Sequence, residues 1–163
     1  MNLPIRKRTR LDKYDYSSNG LYFLTLCTKD RQKLLGEIVR DGAHDVPKVE
    51  LSDYGRIVEK YILSSNKIEN VTVDKYVIMP NHIHMLVFVD DLQKTNPEKP
   101  AVNATIPLLV SALKRFCNAE IGKNIFQRSY YDHIVRNEKD FQRIWSYIEN
   151  NPQKWSFDRY YLD

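Results

Sequence analysis

Two histidines separated by one residue open an apolar run, and their spacing is the first chemical signal in the chain. Pro80-Asn81 lies between the apolar runs 76–79 and 83–89, and a turn between β-rich runs predicts a hairpin. Side chains at i and i+2 of a strand share a face, so His82 and His84 would stand side by side at the mouth of a sheet. Imidazole commonly binds divalent metals, so the pair predicts half of a metal site. Taken alone, the pair is also compatible with two ordinary surface histidines.

A phenol and a carboxamide share one flank of the last predicted helix. Asn137 is a favourable N-cap, and the inward stripe after it consists of Phe141, Ile144, Trp145 and Ile148. Tyr147 falls roughly 110° from the centre of that stripe, and Asn151 lies one turn further along the same flank. Pro152 disfavours helix at Asn151, so the helix is expected to end there. The two residues also suit a tyrosine at the core edge and a helix-ending asparagine.

The elements that must position these side chains can be read in order. The sequence predicts a strand at Leu21–Cys27, a small excursion hairpin within 29–51, a helix capped by Ser52, the hairpin 71–89, a helix at 105–120 that Gly122 ends, a strand-like run at 125–135 and the last helix. This βαββαβ series predicts an α+β fold of the ferredoxin-like kind, an antiparallel sheet with helices on one face plus an additional C-terminal helix. Its first and third strands are central, which places His82 and His84 mid-sheet. On the same strand, Leu86 and Phe88 would continue the histidine face inward.

Composition and charge narrow the class of protein. The 163 residues are 42% hydrophobic and 28% charged, which fits one soluble domain over 1–163. Residues 1–13 of the arm 1–20 carry five basic side chains against Asp12 alone, a charge of +4 that equals the net charge of the whole chain. Arg6, Lys7, Arg8 and Arg10 there suit a phosphate backbone, although a solvated tail fits the charge as well. No apolar run approaches the ~20 residues of a membrane helix, and no signal peptide is apparent. Cys27 and Cys117 lie on predicted core faces, which indicates reduced thiols and a cytoplasmic protein.

Several segments together resemble a known family. Pro80–His84 followed by an apolar strand looks like the histidine–hydrophobic–histidine (HUH) motif of single-tyrosine transposases. The segments 126–137 and 147–152 resemble the end of the same domain. The basic arm leading into 14–16 and 21–27 looks like the opening of the REP-associated tyrosine transposase branch. The resemblance covers about residues 6 to 155.

The resemblance implies a reaction and roles for single residues. His82, His84 and Asn151 would bind a divalent metal, Mg²⁺ or Mn²⁺, and Tyr147 would be the nucleophile. The implied activity is nicking and strand transfer of single-stranded DNA near a hairpin, through a 5′-phosphotyrosine intermediate. Tyr130 and Tyr131 are alternative nucleophiles, but they lie on the preceding strand, and His133 is interpreted as structural or DNA-contacting. The protein would act as a monomer or a homodimer.

Other basic residues are candidates for DNA contact, and other functions remain open. Lys114 and Arg115 lie off the apolar stripe of their helix, and Arg128 lies in the family-like segment, so all three are expected to bind DNA. The same strand order also serves RNA-recognition modules, which stack bases on sheet aromatics. A non-catalytic or domesticated module that binds single-stranded nucleic acid is therefore the alternative to the enzyme.

Overall fold

Six strands and three α-helices make up the described part of the chain, which comprises residues 20–42, 44–90 and 105–161 of a computed structural model. Short 3₁₀ turns follow β1, α1 and α3. The bounds are β1 (Gly20–Cys27), β2 (Gly36–Val39), β3 (Lys48–Leu51), α1 (Asp53–Ser64), β4 (Val71–Met79), β5 (His82–Val89), α2 (Thr105–Ile121), β6 (Tyr131–Val135) and α3 (Glu138–Glu149). The basic residues predicted in the N-terminal arm lie outside the described residues.

The main sheet has the strand order β4-β5-β1-β6, and each neighbouring pair is antiparallel. β1 and β5 are therefore central, as the ferredoxin-like prediction requires. The two-residue turn Pro80-Asn81 joins β4 to β5, and Met79 pairs with His82 across it. β2 and β3 form a separate antiparallel hairpin, which confirms the excursion predicted within 29–51.

Alternation along the central strands divides the core between two faces of the sheet. Ile83, Met85 and Val87 of β5 pack with Val58 and Ile62 of α1 and with the buried residues of α2. On the opposite face, α3 contributes Ile144 and Ile148 to a smaller cluster that contains Phe23 and Leu86. Because strand side chains alternate between faces, the histidines of β5 lie on the α3 side.

The predicted helix ends are present in the structure. Ser52 Oγ accepts a hydrogen bond from the Gly55 backbone N–H at 3.1 Å, and Asn137 Oδ1 accepts one from the Asp140 N–H at 2.9 Å. Both contacts satisfy donors that the first helical turn leaves free. Gly122 follows α2 with φ of +82°, a left-handed conformation that favours glycine. None of the helices among the described residues is long and apolar enough to cross a membrane.

Three details differ from the sequence predictions. The strand predicted over 125–135 starts only at Tyr131, because Phe126 makes an isolated bridge to Thr28 instead of continuing the ladder. Phe88 is 39% exposed, since the buried cluster on its face reaches along β5 only to Leu86. Cys27 is half-buried at the end of β1, whereas Cys117 is buried in α2.

Candidate metal centre and tyrosine site

His82 and His84 lie on the central strand β5 and are 0% and 1% exposed. They pair with Cys27 and Thr25 of β1. Their rings lie 4.5 Å apart, and the His84 ring stacks on Phe23 at 5.1 Å. The sequence predicted the pair side by side at the mouth of a sheet, on one of its central strands. The structure buries it because the segment after α3 covers this end of the sheet, with the Tyr160 ring 4.6 Å from the ring of His82.

The Nδ1 atom of each histidine has a hydrogen-bond partner that orients the ring. The amide of Asn81 donates from Nδ2 to the carbonyl oxygens of Arg31 and Tyr160, at 3.2 and 2.7 Å. Its Oδ1 therefore accepts from His82 Nδ1 at 2.8 Å, which puts the proton of a neutral His82 on Nδ1. His84 Nδ1 lies 2.8 Å from Thr25 Oγ1.

The Nε2 atoms of the two histidines are the candidate metal ligands, and Nε2 of the Nδ1-protonated His82 carries a free lone pair. His82 Nε2 and His84 Nε2 are buried and have no hydrogen-bond partner among the described residues. Burial lowers the pKa of His82 to about 4, and burial together with the neighbouring His82 lowers the pKa of His84. Both imidazoles are therefore neutral at neutral pH, the state in which imidazole binds a metal.

α3 brings Tyr147 and Asn151 to the same place. The ring of Tyr147 lies 5.1 Å from that of His84 and 6.1 Å from that of Phe23, and the residue is 37% exposed. Asn151, one turn later and 2% exposed, keeps an α-helical backbone conformation although α3 ends at Glu149. Its Oδ1 is buried and, within the described residues, has no hydrogen-bond partner. Of the residues predicted for metal binding and catalysis, all four meet at this site.

The sequence analysis missed Asp158, whose side chain is 1% exposed beside the histidines. Its Oδ2 accepts from Asn151 Nδ2 at 2.8 Å and lies 3.5 Å from the Tyr147 hydroxyl and 3.9 Å from His82 Nε2. Burial and then this carboxylate raise the pKa of Tyr147 to about 12. The only sequence signal was an acidic residue among the aromatic residues that follow Pro152, where no helix or strand period indicates which side chains meet.

The donor atoms suit a metal ion. One ligand atom each from His82, His84 and Asp158 lie within 4.8 Å of one another. Asn151 Oδ1 adds an unpaired buried oxygen to this set. Buried donors without partners are costly unless a ligand or water satisfies them. Two imidazole nitrogens with carboxylate and amide oxygens can hold a divalent cation.

The other predicted residues lie away from this centre or outside the described residues. Lys114 Nζ donates to the carbonyl oxygens of Gln127 and Arg128, at 2.7 and 3.3 Å, and so supports the loop before β6. The exposed Arg115 covers the Phe116 ring on α2, which packs on the opposite face of the sheet from the histidines. Arg128 is exposed on the loop before β6. His133 Nε2 lies 2.7 Å from Asp140 Oδ2 and so joins β6 to α3.

No family model matches the chain. An uncharacterized protein of Haemophilus influenzae is 31% identical over 175 residues, which span 97% of this chain and 94% of that protein. A second Haemophilus influenzae protein, named for the REP-associated tyrosine transposases, is 26% identical over 151 residues, 88% of this chain and 76% of that protein.

The solved structure of a REP-associated tyrosine transposase bound to a REP hairpin is similar in fold. It superposes with a TM-score of 0.64 at 18% identity, over 92% of this chain and 77% of that one. The fold described above is thus that of the tyrosine transposases. The chain belongs to one family with the uncharacterized Haemophilus influenzae protein, and it is similar to the REP-associated tyrosine transposases in sequence and in fold.

Proposed function

We propose that the protein nicks and transfers single-stranded DNA next to a hairpin, using a divalent metal and a 5′-phosphotyrosine intermediate. The observation that carries this proposal is the position of the Tyr147 hydroxyl, which lies 3.5 Å from Asp158 within the same buried group as His82 and His84. A nucleophile beside a set of metal donors is the arrangement that phosphoryl transfer needs.

The residues of the chain have distinct tasks in this proposal. His82, His84 and Asp158, with the Asn151 carbonyl oxygen, would hold Mg²⁺ or Mn²⁺, and Asn81 and Thr25 keep the two rings oriented. The bound cation would supply positive charge that offsets Asp158 and polarises the oxygens of the attacked phosphate. We expect the protein to fold without the metal, because Nδ1 of each ring already has a protein partner.

The proposed covalent step is a phosphoryl transfer from the DNA to Tyr147. Tyr147 Oη forms a bond to phosphorus, and the bond from phosphorus to the 3′ oxygen of the preceding nucleotide breaks. The tyrosine proton leaves and a proton returns to the departing 3′-hydroxyl. Burial, and then the Asp158 carboxylate that faces the hydroxyl, raise the pKa of Tyr147 to about 12, so the hydroxyl is protonated at neutral pH before the reaction. A second 3′-hydroxyl that attacks the phosphotyrosine would complete strand transfer and release the tyrosine.

The DNA class in this proposal comes from the family. The solved relative with the same fold is bound to a REP hairpin, and a hairpin with a single-stranded flank would present both a folded recognition element and an unpaired strand for the site. The rings of Trp155 and Tyr160 lie beside His82 at the buried site. A single DNA strand, whose backbone bends easily, suits such a site better than a rigid duplex does.

The experiment that tests the function uses end-labelled single strands that carry a hairpin, incubated with the protein and either Mg²⁺ or Mn²⁺. We expect a labelled protein–DNA band that survives denaturing electrophoresis and disappears when EDTA is added. Tight binding of the same strands with no covalent band in either metal would instead identify a non-catalytic binding module.

A further inference from the structure

A second concave surface lies directly beside Tyr147. It is a cleft of about 310 Å³ between β6 and α3, and the Tyr147 ring forms part of its wall. Tyr131, Arg143 and Arg159 also line it. The cleft therefore combines two guanidinium groups with two phenol rings. None of the described residues that line it is acidic. This combination suits a nucleotide, because cations contact phosphate and rings stack on bases.

Tyr131 is available for stacking. It is 41% exposed at the first position of β6, where pairing with Thr25 of β1 holds its backbone. The Arg159 guanidinium lies over its ring, 5.5 Å from the centroid. An aromatic ring with an arginine plane above it can accept a flat base on its face or at its edge.

Arg143 supplies charge on the other wall of the cleft. Its Nη2 donates to Asp140 Oδ1 at 2.7 Å, yet its side chain remains 68% exposed. Asp140, on α3, also contacts His133 of β6 and is thereby held in place. The contact orients Arg143 at the surface, where a phosphate can still approach the rest of the guanidinium.

We propose that this cleft seats the nucleotide whose 5′-phosphate Tyr147 attacks, with its base on Tyr131 and its phosphates near Arg143 and Arg159. The proposal rests on the proposed function, since a 5′-phosphate joined to Tyr147 Oη must keep its own nucleotide next to that residue. Tyr147 lines this cleft, whereas His82, His84, Asn151 and Asp158 do not. It defines a binding subsite separate from the metal donors.

The first test needs no cleavage and therefore no metal. Oligothymidylate that contains 5-iodouracil is irradiated with the intact protein in EDTA, and the crosslinked peptides are mapped by mass spectrometry. We expect a crosslink on the peptide that holds Tyr131. Tyr131→Leu should remove it and weaken binding about tenfold, the effect of losing one stacked base. Tyr131→Phe keeps the ring and should bind normally. Phe116→Leu, which removes a similarly exposed ring from α2, should change nothing.

The second test addresses the position of the base. Once the adduct has been mapped, the oligonucleotide is remade without the base on the nucleotide that stays joined to Tyr147. The tenfold penalty of Tyr131→Leu should then disappear. Crosslinks confined to other surfaces, or a penalty that persists on the abasic strand, would overturn the subsite. Neither outcome affects the covalent band, which separately decides whether the protein nicks DNA.

Discussion

The hydroxyl of Tyr147 and the carboxylate of Asp158 lie in contact, with 3.5 Å between Oη and Oδ2. Tyr147 is on α3 and Asp158 follows the 3₁₀ segment Pro152–Phe157, so the contact links two neighbouring pieces of chain. Burial raises the pKa of the phenol, and the negative charge of Asp158 raises it further, to about 12. A cation bound at the donor set would reverse the effect of Asp158 and would so couple the proposed nucleophile to the occupancy of the proposed metal site.

The first prediction concerns the nucleophile. Tyr147→Phe removes one oxygen and keeps the ring contacts with Phe23 and His84, so the free energy of unfolding should change by less than about 1 kcal/mol. DNA affinity should also persist, whereas the covalent band on a denaturing gel should vanish. The matched variants Tyr130→Phe and Tyr131→Phe should keep the band. An adduct formed by Tyr147→Phe would move the nucleophile to one of those two tyrosines.

The second prediction concerns the metal donors. Asp158→Asn exchanges a charged oxygen ligand for a neutral one, so Mn²⁺ binding measured by calorimetry should weaken by about tenfold or more. Asp45→Asn, on the exposed loop between β2 and β3, is the control and should bind Mn²⁺ normally. EDTA should leave the circular dichroism of the unmutated protein unchanged, because Asn81 and Thr25 hold the rings without metal. Unfolding by EDTA would mean that the metal is structural instead.

The third prediction is a pH dependence of stability. Hydrogen bonds from Arg143 and then His133 lower the pKa of Asp140 from 3.8 to about 2. A carboxyl with a depressed folded-state pKa stabilises the fold above its unfolded pKa, and this contribution is lost as the pH falls from about 4 to about 2. We therefore expect Asp140→Asn to cost about 1 kcal/mol at pH 7 and little at pH 2, measured by urea unfolding.

The control for that measurement is Asp53→Asn. Asp53 makes the same i,i+3 pair at the start of α1, with Arg56, but its side chain is 92% exposed. A pair in open solvent contributes little, so the variant should have nearly the stability of the unmutated protein at both pH values. Equal losses in the two variants would show that the His133–Asp140–Arg143 group adds nothing beyond a surface ion pair.

The fourth prediction concerns the N-terminal arm. Replacing Arg6, Lys7, Arg8 and Arg10 by alanine removes four positive charges, so single-stranded DNA should bind more weakly. The slope of log affinity against log salt should fall by up to about 3. Titrations at several salt concentrations measure this. A slope that stays the same would show that the arm is a solvated tail.

The parts of the site that lie on a regular strand or helix could be predicted from the sequence. Period-two alternation places His82 and His84 on one face of β5, and helical periodicity places Tyr147 and Asn151 on one flank of α3. Asp158 has neither constraint, since it follows Pro152 in irregular turns. Its place beside His82 depends on a contact between distant segments, the bond from Asn81 Nδ2 to the Tyr160 carbonyl oxygen. That same segment buries the histidines, and no periodicity in the sequence indicates this cover.

The donor set unites β5, in the middle of the described chain, with a residue that is translated after every described strand and helix. A polypeptide that ends before Asp158 contains every described strand and helix and both imidazoles, but it lacks the carboxylate donor. If the proposed function is correct, we expect such unfinished chains to hold the cation weakly and to leave DNA intact. The order of synthesis would then delay the appearance of a nicking activity until folding is nearly complete.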